Sequence, residues 1–220
     1  MPIVDIPTGV DGFTLPQAFE VLADLYRRVD EHAARLAPAL DLLCHAGCSA
    51  CCRDSVFLTT LEALFLLNHL EVAFSPEARA RVVRAGVATF QRHGDRILAF
   101  GHPECPGAPA LTGEDARERP AVADRVAAAL SLRFDCPVLD DAGRCTAYAA
   151  RELRGRLFGV SRLQSRDEFY ACKDMGRHLE GREVRLMDAE AVAGLLRLSP
   201  LTRGEQVIPY YVWRYAALLA

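Results

Sequence analysis

Lysine is almost absent from this chain: of 26 basic residues only Lys173 is a lysine, and 29 acidic residues set the formal charge at -3. No excess of positive charge draws the protein to a phosphate backbone, so nucleic acid is not expected as a partner. Long apolar runs are missing as well. The run Ala63–Leu67 stops at Asn68 and His69, far short of the roughly 18 to 20 residues that a membrane span requires, so no membrane is expected either. Residues 1–11 lack the basic start and apolar stretch of a secretory leader and carry Asp5 and two prolines, which points to a cytoplasmic protein. No Gly-x-Gly-x-x-Gly follows a strand pattern, and no phosphate-binding loop, His-Glu-x-x-His or Gly-x-Ser-x-Gly occurs. Dinucleotide, nucleotide-triphosphate, zincin and serine-hydrolase chemistries thereby lose their usual sequence support.

The chain has 220 residues, 51% of them hydrophobic, which is enough to bury one sizeable core. The expectation is a mainly α fold in a single cysteine-cluster domain over 1–220. An N-terminal helical part covers 1–100, a loop 101–120 and a C-terminal part 121–220.

Apolar residues at helical spacing from Phe19 through Leu43 predict an amphipathic helix over 16–43, kinked near Pro38. Thr59 with Glu62 forms a capping box that opens a second helix, and Ser75-Pro76 opens a third that runs to about Phe100. The segment Gly101–Pro120, with four prolines and three glycines, reads as a surface loop. Ala121–Leu132 reads as a short helix, Cys136–Cys145 as a small β-hairpin and Tyr148–Phe158 as a helix; Gly159–Arg185 is mixed. Asp188 caps a helix through Leu198, and the aromatic tail with Tyr210, Tyr211, Trp213 and Tyr215 holds a last helix after Pro209. Such a stripe is core more often than a partner surface.

Eight cysteines stand out: Cys44, Cys48, Cys51, Cys52, Cys105, Cys136, Cys145 and Cys172. In a reducing compartment clustered thiols point to metal binding or redox chemistry before structural disulfides. The first four stand as Cys-x3-Cys-x2-Cys-Cys, and the x2 spacing of Cys48 and Cys51 lets one tight turn present two sulfurs to one ion. Cys51 and Cys52 are adjacent, and neighbouring side chains are expected to point apart, so these two suit different metal atoms. Cys136 and Cys145, at the ends of the predicted hairpin, and Cys172 downstream would close the site from the other half of the chain.

Zinc and a 4Fe-4S cluster each take four ligands, so Cys44, Cys48, Cys51, Cys52, Cys136, Cys145 and Cys172 together offer more thiolates than one centre needs. Cys105, in its proline-rich loop with His102 at x2 spacing, reads equally as an inert thiol or as a further ligand. Arg151, Arg154, Arg156, Arg162 and Arg166 lie beside these cysteines, and such a group is more often a solvated helix face than an anion site. The spacing Cys44, Cys48, Cys51 also matches that of radical S-adenosylmethionine enzymes. Those enzymes need alternating strands and helices, which this chain lacks.

Gly47-Cys48-Ser49-Ala50-Cys51-Cys52, then Thr60 and Glu62, Cys136-Pro137-Val138-Leu139, Gly143-Arg144-Cys145, Tyr148, Arg151 and Cys172 resemble the YkgJ-type cysteine cluster family, a zinc- or iron-chelating domain. The likeness spans Cys44 to Cys172. In that family the stretch after the hairpin reads Tyr-x2-Arg-Pro-x2-Cys-Arg. Here Tyr148, Arg151 and Arg156 fit, while Glu152 stands at the proline and Gly155 at the cysteine, leaving Cys44 or Cys105 as substitutes. Proteins with a related cysteine pattern, flagellin lysine methylases among them, are associated with an iron-sulfur cluster. The resemblance therefore implies a metal-binding protein that holds an iron-sulfur cluster or zinc. The alternatives are a metal-dependent methyl or group transferase with a pocket near Tyr148, Arg151 and Arg154, and a structural zinc domain that docks a protein partner.

Overall fold

The computed structural model describes residues 14–41, 48–49, 51–53, 57–100, 132–164, 168–182, 186–194 and 205–220. The leader reading of residues 1–11, Cys44, the loop around Cys105, the helix expected over 121–131 and the end of the Asp188 helix lie outside them. The described residues are mostly helical, with two small sheets, in keeping with a mainly α fold. Among them no helix is long and apolar enough to cross a membrane.

Helix α1 covers Leu15–Leu40, with Thr14 and Gln17 forming a capping box at its start. It ends three residues earlier than the apolar pattern suggests, because Asp41 turns left-handed at φ 48° while its N–H closes onto the Ala37 carbonyl. A 3-10 turn at Cys51–Arg53 leads to strand β1, Phe57–Thr59, and directly into α2, Thr60–Ala73. The Thr59–Glu62 capping box is present as the sequence predicts. Helix α3 spans Pro76–Phe100.

The Cys136–Cys145 segment departs from a regular hairpin. It has one isolated bridge, Leu139 to Cys145, and no strand ladder. The Leu139 N–H bonds the Cys136 carbonyl at 3.0 Å, and Asp140 Oδ1 takes the N–H groups of Ala142 (3.0 Å) and Arg144 (2.8 Å). Local bonds of this kind compete with ladder formation and leave two successive turns, the second with Gly143 at φ 73°. The ends are still brought together, since the Thr146 N–H reaches the Val138 carbonyl at 2.9 Å.

The helix expected over Tyr148–Phe158 is broken in two: a 3-10 turn at Tyr148–Ala150 and helix α4 at Leu153–Leu157, with Arg151 and Glu152 extended between them. Beyond α4, β2 (Ser161–Leu163) pairs antiparallel with β3 (Glu168–Tyr170) and parallel with β4 (Met187–Asp188). Helix α5 (Lys173–Leu179) follows β3, and α6 (Ala189–Gly194) follows β4. Asp188 Oδ1 accepts from the Ala191 N–H at 3.0 Å, as a capping residue should.

The tail begins with a strand that periodicity does not reveal. β5, Glu205–Val207, pairs antiparallel with β1 before α7 (Ile208–Arg214) and α8 (Ala216–Leu219). Helix α7 lies against α3 so closely that a Cβ on Gly86 would stand 2.5 Å from Val212 Cγ1. Tyr210 and Tyr211 are core residues, and Trp213 stacks on Phe90 at 4.0 Å while staying 40% exposed. The main core gathers Leu22, Tyr26 and Val29 of α1, Leu64, Leu67 and Leu70 of α2, Leu58, Leu153, Leu157 and these tyrosines.

Candidate metal centre

The site is assembled around the buried carboxylate of Glu62. On α2 it completes the capping box, with Oε2 accepting from the Thr59 N–H and hydroxyl, both at 2.9 Å. Its Oε1 accepts from the Tyr26 hydroxyl of α1 at 3.1 Å and from the Leu153 N–H of α4 at 2.7 Å. A carboxylate with four donors satisfies its charge without water, and here it ties three helices to one point. Burial, with Glu62 beside it, raises the Tyr26 hydroxyl well above the ordinary tyrosine range and keeps it protonated.

Arg156 explains why the Tyr148–Phe158 helix breaks. Its side chain, 2% exposed, donates through Nε to the Arg151 carbonyl at 2.7 Å and through Nη2 to the carbonyls of Tyr148 (2.7 Å) and Ala149 (2.9 Å). Nη1 pairs with Asp30 of α1, and the guanidinium lies over the Tyr26 ring at 4.3 Å. Carbonyls that a continuous helix would use are thus spent on one arginine. The expectation of a solvated arginine face fails at Arg156, which is buried, and at Arg151, which is half-buried.

Held this way, Arg151 points at the early cysteines, and its Nη2 donates to Cys51 Sγ at 3.3 Å. The two halves of the cysteine pattern meet at the backbone, where the Cys136 N–H donates to the Cys52 carbonyl at 3.1 Å. The positive charge of Arg151 acts on Cys51, Cys52, Cys136 and Cys145. All six described cysteines, Cys48, Cys51, Cys52, Cys136, Cys145 and Cys172, are free and partly buried.

The adjacent pair Cys51 and Cys52 does not splay. In the tight 3-10 turn, closed by the Cys52 N–H on the Ser49 carbonyl at 3.0 Å, the Cys52 thiol lies near enough to Cys51 to act on its titration. Extended backbone would send the two sulfurs to opposite sides, and a helical turn does not. The neighbouring Cys52 thiol lowers Cys51 to about 6 against the pull of burial, with Arg151 assisting, and Cys51 in turn raises Cys52.

Burial pushes Cys136 up to about 12 and also raises Cys145; each is opposed by a backbone amide, Val138 for Cys136 and Ala147 for Cys145. An amide two residues beyond a cysteine and bonded to its sulfur is the local geometry that stabilises a thiolate ligand. Cys48 stands just before Ser49, whose carbonyl closes the turn at Cys52. Cys172 has its own local task as N-cap of α5, its sulfur accepting from the Met175 N–H at 3.4 Å.

Among the described residues no group of three or more His, Cys, Asp or Glu side chains stands arranged to hold a metal ion. The thiols of Cys51, Cys52, Cys136 and Cys145 come from two segments joined at the Cys136 N–H and Cys52 carbonyl, with the Arg151 guanidinium against Cys51. What composition and spacing do not reveal is Glu152. It is buried at the start of α4, and its charge acts on Cys51, Cys136 and Cys145. Its one sequence signal is that it and Gly155 are the two departures from the cysteine-cluster pattern.

No family model matches this chain, and no curated protein or solved structure matches it. The resemblance to the cysteine-cluster family rests on the motif residues alone.

Proposed function

We propose that this protein binds a metal centre, an iron-sulfur cluster or zinc, through thiolates drawn from the early turn and from the Cys136–Cys145 loop. The observation that carries the reading is the meeting of free-thiol segments more than 80 residues apart, where the Cys136 N–H donates to the Cys52 carbonyl at 3.1 Å and Arg151 Nη2 donates to Cys51 Sγ at 3.3 Å. Cysteinate ligands make zinc and iron-sulfur centres anionic, and a neighbouring cation together with N–H···S bonds offsets that charge. Cys51, Cys52, Cys136 and Cys145 form the central donors, and Cys48 stands next to Ser49, where that turn begins. The free thiols suit a reducing compartment such as the cytoplasm.

The test is iron, zinc and acid-labile sulfide per chain on protein purified without oxygen. Iron with sulfide and a visible charge-transfer spectrum identifies a cluster, and colourless zinc-loaded protein a zinc site. In either case Cys51→Ser and Cys136→Ser should each lower the content. Metal-free protein from oxygen-free cells, or metal that survives both substitutions, overturns the reading.

A further inference from the structure

Three aromatic rings are layered from the core outward between α3 and α7. Tyr210 packs edge-on against Phe90 with centroids 6.0 Å apart, and Phe90 lies stacked on Trp213 at 4.0 Å with the two planes 19° apart. Tyr210 and Phe90 are buried, and the stack covers one face of the indole. The part of Trp213 that stays exposed therefore belongs mainly to its other face and edge. A broad aromatic surface already held in place loses little freedom when a second ring lies on it.

That indole walls a cavity of about 430 Å³ beside the C-terminal half of α3, within the roughly 300–1,000 Å³ that small-molecule sites occupy. Arg92, Gly94, Asp95 and Arg96 line it as well. Gly94 is the member that the fold does not explain. Glycine inside a helix is less favourable than alanine, its φ here is not positive, and a Cβ would meet nothing nearer than Phe90 Cε1 at 3.4 Å, an ordinary contact. Gly86 on the same helix differs, since Val212 occupies its side-chain space. What the missing side chain of Gly94 leaves is room beside the Phe90–Trp213 stack. The charge around that room is positive, two guanidiniums against the one carboxylate of Asp95. Arg92 is exposed, and among the described residues no ion pair engages it.

We infer that this groove binds a planar aromatic anion: the ligand's ring lies on the open face of Trp213, its edge enters the space that Gly94 leaves, and its carboxylate meets the Arg92 guanidinium. The site shares no residue with the cysteines and stands whether or not they hold a metal.

Trp213 is the one tryptophan of the chain, so its fluorescence reports the groove directly. The probe is para-nitrobenzoate, whose ring quenches an indole it stacks on, with para-nitrobenzamide as its uncharged match and calorimetry as a second measure of affinity. The benzoate should quench saturably, and the amide should bind about fivefold more weakly or worse. Arg92→Gln should bring the benzoate down to the amide's affinity and leave the amide unchanged.

Gly94→Leu places a good helix former in the groove; it should keep the parent's melting temperature and abolish saturable quenching. Gly94→Ala, which adds only a methyl, should melt no lower than the parent and weaken the benzoate about fivefold. Purely collisional quenching in the parent, or equal affinities for benzoate and amide, overturns the inference. So does parental benzoate affinity in Arg92→Gln or in either folded Gly94 variant.

Discussion

The Glu62 carboxylate and the Leu153 N–H meet at 2.7 Å across 91 positions of sequence, and this bond sets the start of α4 and with it the place of Arg151. Glu62→Ala removes that acceptor along with the partners of Tyr26 and Thr59. Leaving several buried donors unpaired should cost roughly 2–4 kcal/mol of stability, measured by chemical denaturation. Glu62→Gln keeps part of the network and should cost less.

Arg156 donates to three carbonyls from one planar group, a geometry that an ammonium cannot reproduce. Arg156→Lys should therefore destabilise nearly as much as Arg156→Ala, both by about 3 kcal/mol or more. A lysine variant with the parent's denaturation midpoint would refute this account of the broken helix.

Burial, opposed by Arg151, holds the Glu152 carboxyl up at about 7, against an ordinary value of 4.5. The folded metal-free protein therefore keeps a proton that the unfolded chain releases. Stability from this group is present below about pH 4.5 and is lost as pH rises to about 7, beyond which it is constant. The loss is on the order of 3 kcal/mol. Comparing denaturation of the parent and Glu152→Gln across this window checks it, since the glutamine should remove that part of the slope and be relatively more stable on the alkaline side.

In metal-free protein Cys51, lowered to about 6 by the Cys52 thiol and Arg151, is thiolate at neutral pH, whereas burial holds Cys136 at about 12 as the thiol. Iodoacetamide labelling followed by peptide mass spectrometry should find Cys51 modified well before Cys136. Arg151→Ala should slow Cys51 labelling, and equal rates at the two cysteines would contradict the described geometry.

Gly86 permits the close approach of α3 and α7, so Gly86→Ala drives a methyl into Val212. Overpacking of this kind should cost about 1–3 kcal/mol. Val212→Ala in the same chain should return part of it, and additive costs in the double variant would show that the two side chains do not share that volume.

Local chemistry determined several elements without help from the rest of the chain. Thr59 with Glu62, Ser75 with Pro76 and Asp188 each carry their own cap, so the starts of α2, α3 and α6 were legible, as was the mainly α character. The cysteine spacing supplied the residues on which the proposed centre is built. Tertiary structure alone decided where Arg151 and Arg156 lie, because each has partners distant in sequence: Cys51 for Arg151, and Asp30 with Tyr26 for Arg156. The β1–β5 pair and the turn that brings the Cys52 thiol onto Cys51 were hidden for the same kind of reason. A three-residue strand is too short to show a period, and the direction of adjacent side chains depends on a backbone conformation that only the packed chain selects.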